Sequence, residues 1–82
     1  MAYTDEERQL LREFGRRVRA ARDARGWTQE DLADEADLDR TYVGGVERGE
    51  RNIALLNMNR LALALGDGFD GFLPWRAAKR RR

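Results

Sequence analysis

The 82-residue chain has no cysteine and no histidine, one proline and one lysine. Without cysteine there is neither a disulfide framework nor a thiolate metal site. Without histidine, the usual zinc ligand and the usual general base near neutral pH are both missing. No apolar run approaches ~18 residues, and the opening Met1–Arg12 stretch is acidic and polar, so neither a membrane span nor a signal peptide is expected. A cytoplasmic location follows as the expectation. Carboxylates are abundant, yet no acid pair lies in a recognisable catalytic frame. The Asp67-Gly68-Phe69-Asp70-Gly71 segment lacks the alternating ligands and distal Glu of a calcium loop and reads as a turn. The chain is therefore expected to be no enzyme and to hold no metal or cofactor.

A net excess of charge is lacking as well, since 16 basic side chains nearly balance 15 acidic ones. The net charge is +1, but five cations (Arg76, Lys79, Arg80, Arg81, Arg82) crowd the last seven residues. Without them, 11 basic side chains face 15 acidic ones, and the body is acidic. A globally basic footprint, the usual mark of a nucleic-acid binder, is absent. Any contact with DNA has to come from a local patch.

What is present is helical spacing. Thr4-x-x-Glu7 is a capping box, and Leu11, Phe14, Val18 and Ala21 form one stripe that Leu10 broadens. Gly26 is placed to stop this first helix. A second helix is predicted over about Gln29–Ala36, burying Leu32, Ala33 and Ala36, with Thr28 as cap and Asp31 completing a weaker capping box. Asp37 falls where a left-handed residue is needed, and Asp tolerates that region better than most. A third helix runs from about Arg40 to Arg48, capped by Asp39, with Val43 and Val46 inward. The pairs Trp27 with Leu32 and Leu38 with Val43 stand in staple positions. Gly44 and Gly45 cost about 1 kcal/mol each against Ala, which implies tight packing on the first or fourth helix, or close approach of a ligand. The fourth helix spans Leu55–Leu65 and buries Leu55, Leu56, Met58, Leu61, Ala62 and Leu65. A last helical turn, Phe69–Leu73, precedes Pro74. Residues 1–75 then form one domain, and 76–82 a basic tail expected to be mobile. Two short, tightly capped helices joined by a turn, with Arg40, Thr41 and Tyr42 opening the second, describe a helix-turn-helix that reads DNA.

From Phe14 to Leu73 the chain resembles the Xre (Cro/cI-type) helix-turn-helix family. The resemblance is carried by Gly15-Arg16-Arg17-Val18-Arg19, by Arg25-Gly26-Trp27-Thr28-Gln29-Glu30-Asp31-Leu32-Ala33, and by Tyr42-Val43-Gly44-Gly45-Val46-Glu47-Arg48-Gly49. Arg51-Asn52 and Leu61-Ala62-Leu63-Ala64-Leu65-Gly66 complete it. Leu38-Asp39-Arg40-Thr41-Tyr42, Glu47-Arg48 and Arg51-Asn52 are similar to the controller proteins of restriction–modification systems. The fold implied is all-α, a compact five-helix lambda-repressor-like domain. Two positions depart from the pattern. Asp37 replaces a common glycine, and Ala54 stands where a Ser or Thr cap is usual, leaving Asn52 or water to serve that helix end.

In this docking mode Arg40 offers its fork to guanine O6 and N7, for about 1–3 kcal/mol of discrimination, while Thr41 meets a base edge or a thymine methyl. Gly45, one turn on, would present backbone to the groove. Gln29, at the first position of its helix, suits a phosphate. Tyr42 either fills space beside Val46 or reaches the DNA backbone. Arg48, Arg51 and Asn52 are assigned to phosphate, with Arg51 able to reach toward a minor groove. The resemblance implies that Glu47 turns inward to pair with Arg22. Leu65, Phe69, Phe72, Leu73 and Trp75 either cap the core or form a two-fold dimer surface. Two heads ~34 Å apart would then read a palindromic operator. The expected partners are thus a double-stranded DNA operator and a second copy of the chain. RNA polymerase is a further candidate through Asp34, Glu35 and Asp37. The rival reading is an antitoxin or phage-type repressor whose partner is a protein toxin.

Overall fold

A computed structural model describes residues 2–66, which form four helices and no strand. They are α1 (Asp5–Ala24), α2 (Gln29–Ala36), α3 (Arg40–Glu47) and α4 (Leu55–Leu65). The expected fifth helical turn at 69–73 lies outside the described residues. So do Phe69, Phe72, Leu73 and Trp75 of the expected dimer surface, and the basic tail. Among the described residues no helix is long and apolar enough to cross a membrane.

Three of the four helix starts are closed by the residues that the sequence provides for it. Thr4 Oγ1 accepts from the Glu7 amide at 3.1 Å while Glu7 accepts from the Thr4 amide at 2.8 Å. Thr28 and Asp31 exchange the same two bonds at 3.0 and 2.8 Å, so the shorter acid makes a complete capping box. Asp39 accepts from the amides of Thr41 and Tyr42. Only α4 starts without a side-chain cap, at Ala54; Asn52 does not take over that role. Ala54→Ser should therefore stabilise the domain by about 0.5–1 kcal/mol. The gain would be read as a higher urea midpoint at unchanged m-value, and an unmoved midpoint would show that the open end costs nothing.

The exits of α1, α2 and α3 repeat one device. In each, an amide reaches back five residues beyond a left-handed one: Trp27 to the Arg22 carbonyl, Leu38 to Ala33, and Glu50 to Gly45. The left-handed residues are Gly26, Asp37 (φ 58°) and Gly49 (φ 75°). This ties off the orphan carbonyls of each helix and sends the chain away sharply. The turn between α2 and α3 is thus fixed by backbone bonds at its start and by the Asp39 cap at its end.

The core consists of Phe14, Val18, Leu32, Ala33, Ala36, Val43, Val46, Leu61, Ala62 and Leu65, with Trp27 and Leu38 packed half-buried against it. α1 packs on α3 and α4, and α2 packs on the same two helices. Three expected core residues are not in it: Leu10, Leu55 and Leu56 are 63, 60 and 70 % exposed. Leu55 and Leu56 open the first turn of α4, and Leu10 lies in the second turn of α1. α1 and α3 meet at Gly15, where an added Cβ would stand 2.2 Å from the Val46 carbonyl oxygen and 2.5 Å from that of Glu47. The end of α4 is closed from α1: Arg25 donates to the Leu65 carbonyl through Nε at 3.0 Å and through a terminal nitrogen. Its guanidinium lies 5.0 Å from the Trp27 ring centroid, a cation at the negative end of a helix.

Candidate nucleic-acid interface

α3 is held in place by a buried charge, as the family resemblance implied for Glu47. Glu47, at its last position, turns inward with its side chain only 3 % exposed. Arg22 of α1 meets it with two bonds, Nε at 2.6 Å and a terminal nitrogen at 2.9 Å. A further Arg22 nitrogen donates to the Trp27 carbonyl at 2.8 Å. The hydrogen bonds it donates to Glu47 raise the Arg22 pKa above the ordinary arginine value, against the opposing effect of burial. Gln29 joins the pair, its amide nitrogen donating to Glu47 Oε1 at 3.0 Å. One amide hydrogen of Gln29 is therefore already engaged, and its second hydrogen is what remains to donate to a phosphate.

The two mid-helix glycines make room for side chains rather than for another helix. A Cβ on Gly44 would meet a terminal nitrogen of Arg48 at 3.1 Å and Gln29 Oε1 at 3.3 Å; one on Gly45 would meet Arg51 Cγ at 2.8 Å. The expectation that α1 or α4 packs there is corrected, because the helix α1 touches closely is reached through Gly15 instead. Arg51 also lies over Tyr42, its guanidinium carbon 5.8 Å from the ring centroid. Tyr42 is half-buried and packs against the core cluster. Gln29, Tyr42, Arg48 and Arg51 are thereby gathered around Gly44-Gly45. The middle of α3 is bordered by these side chains and does not present bare backbone alone.

Arg40 and Thr41 are exposed on the first turn of α3, with the Asp39 cap beneath them. Asn52 is exposed too, but it lines a shallow hollow with Tyr3, Glu7, Leu10 and Leu11 at the start of α1, to one side of the glycine pair. Arg48 carries a partner that sequence reasoning missed: its Nε donates to Glu50 Oε1 at 3.0 Å. The signal was legible in Arg48-Gly49-Glu50, opposite charges flanking a turn glycine. By contrast Glu30, Asp31, Asp34 and Glu35 on α2 are all exposed. The cations of the described surface near α3 are confined to its first turn and its exit. No group of acids, histidines or cysteines able to hold a metal occurs among the described residues.

The model of a helix-turn-helix family matches residues 18–69. This chain belongs to the Xre-type helix-turn-helix family, whose members are DNA-binding transcription regulators. A hypothetical transcription factor of Neisseria meningitidis is 46% identical over 61 residues, which are 74% of this chain and 58% of that protein. The match thus spans less than two thirds of that relative's length. Among solved structures, the restriction–modification controller protein C.AhdI from Aeromonas hydrophila is 54% identical with a TM-score of 0.68, covering 70% of this chain and 86% of that one. The controller protein C.Esp1396I, solved as a tetramer in complex with its natural 35-base-pair operator, is 38% identical with a TM-score of 0.65, over 68% of this chain and 74% of that one. At these TM-scores and identities the chain shares the fold of both controller proteins over the covered residues.

Proposed function

We propose that the chain is a homodimeric regulator that binds a palindromic operator and controls restriction–modification genes. The observation that carries this reading is the gathering of Gln29, Tyr42, Arg48 and Arg51 around the glycine pair of α3, beside the exposed Arg40 and Thr41. Arg40 and Thr41 read base edges in the major groove. Gln29, Tyr42, Arg48, Arg51 and Asn52 hold the sugar–phosphate backbone, the contacts that position a domain without reading sequence. Arg22 and Glu47 touch no DNA; they keep α3 in register with α1. Leu65 is buried in the core at the end of α4 and so caps the core, which corrects its expected place on the two-fold surface; Phe69, Phe72, Leu73 and Trp75 are assigned to that surface.

A mobility-shift titration on the chain's own promoter tests the assignment. Arg40→Ala should cost about 1–3 kcal/mol on the operator and relax the preference at one base position. Arg51→Ala should weaken operator and scrambled DNA alike and flatten the slope of log K against log salt by about 0.9 per protomer. Retardation of no promoter fragment at low salt would overturn the function. Equal losses from both variants on both duplexes would overturn the division of roles.

A further inference from the structure

The exit turn of α3 contains an acid in the middle of the groups assigned to phosphate. Glu50 is pinned there by its own backbone, since its amide donates to the Gly45 carbonyl at 2.9 Å beyond the left-handed Gly49. This geometry brings its carboxylate to 3.0 Å from Arg48 Nε. Arg48 is pinned as well: its amide donates to the Gly44 carbonyl, and its side chain folds back over Gly44, where an added Cβ would crowd its tip. The two charged side chains are 57 and 61 % exposed, so DNA can reach both.

We propose that Glu50 is an internal competitor for the Arg48 guanidinium, which phosphate obtains only by exchange with the carboxylate. The proposal rests on the DNA-binding reading above. An exposed ion pair is weak, so the exchange is easy, but it removes part of what Arg48 would otherwise add to binding. That lost part is the sequence-independent one, because a phosphate contact carries no base information. Glu50 thus acts through Arg48 as a positioning residue. It lowers attachment to arbitrary DNA and leaves the base contacts of Arg40 and Thr41 to decide where the protein settles.

The test is a double-substitution cycle on the full chain, titrated against its promoter and a scrambled duplex at two salt concentrations. Glu50→Gln should tighten binding to both duplexes by about threefold per protomer, and steepen the salt slope by up to about 0.9 per protomer. In an Arg48→Ala background the same substitution should give less than half of that gain. No tightening by Glu50→Gln, or an equal gain with and without Arg48, would overturn the proposal while leaving DNA binding intact. A wild type that retards neither duplex overturns the DNA reading, and this inference with it. Thermal melts of all four proteins give the readout that a merely structural role would move and competition for Arg48 would not.

Discussion

Arg22→Met should lower the stability of the domain by about 3–5 kcal/mol, comparable to everything a domain this small possesses. The reason is what remains. Glu47, with its side chain 3 % exposed, would keep only the amide of Gln29 as partner among its recorded bonds. Glu47→Ala should cost less, because Arg22 would retain the Trp27 carbonyl at 2.8 Å and Asp23 at 3.2 Å. The order of the two losses is the diagnostic result, read from urea unfolding followed by circular dichroism. Arg22→Met combined with Glu47→Leu should recover much of the loss, since an apolar pair has no charge to desolvate. If Arg22→Met melts with the wild type, the pair does not hold α3 to α1.

Gly15→Ala is the second large effect, at about 3 kcal/mol or more. A single methyl would be driven to 2.2 and 2.5 Å from two backbone oxygens of α3. Backbone at a helix end cannot swing aside as a flexible side chain can, so α1 and α3 must separate and the Arg22–Glu47 bonds must stretch. The contrast is Gly26→Ala, which meets nothing within 4 Å and adds only left-handed strain at φ 71°, about 1 kcal/mol. Denaturation midpoints of both variants check the ranking. A mild Gly15→Ala would mean that the helices have slack at their crossing.

Much of this architecture was legible because its determinants are local. The caps at Thr4, Thr28 and Asp39, the left-handed Asp37 and the bounds of α2 and α4 each depend on residues within one or two turns. Burial was less legible where periodicity spoke alone. Leu10, Leu55 and Leu56 follow helical spacing, but spacing does not tell where a neighbouring helix ends. Gly15 stands in the sequence only as the first residue of a stretch that carries the family resemblance, since its packing role appears only when α3 lies against it. The mid-helix glycines were noticed, yet what occupies their space, Arg48, Gln29 and Arg51, arrives from before and after α3. Among the candidate site residues, the Arg22–Glu47 geometry followed from a resemblance and not from charge pattern. Arg25 at the end of α4 is a pairing that no spacing rule singles out, whereas Glu50 beside Arg48 was legible in the opposite charges flanking Gly49.

The glycine pair also bears on how such a protein can change its grip on DNA separately from its target. Two positions in the middle of α3 carry no side chain, and the space above them belongs to residues on α2 and on the exit turn. Substitutions at Arg48, Glu50 or Arg51 can therefore change how firmly DNA is held without repacking Val43 and Val46 beneath. The domain keeps its frame and its lettering on separate parts of the chain. On the proposed assignment, that separation makes the exit turn the place to tune grip on any DNA, and the first turn of α3, with Arg40 and Thr41, the place to graft a different operator.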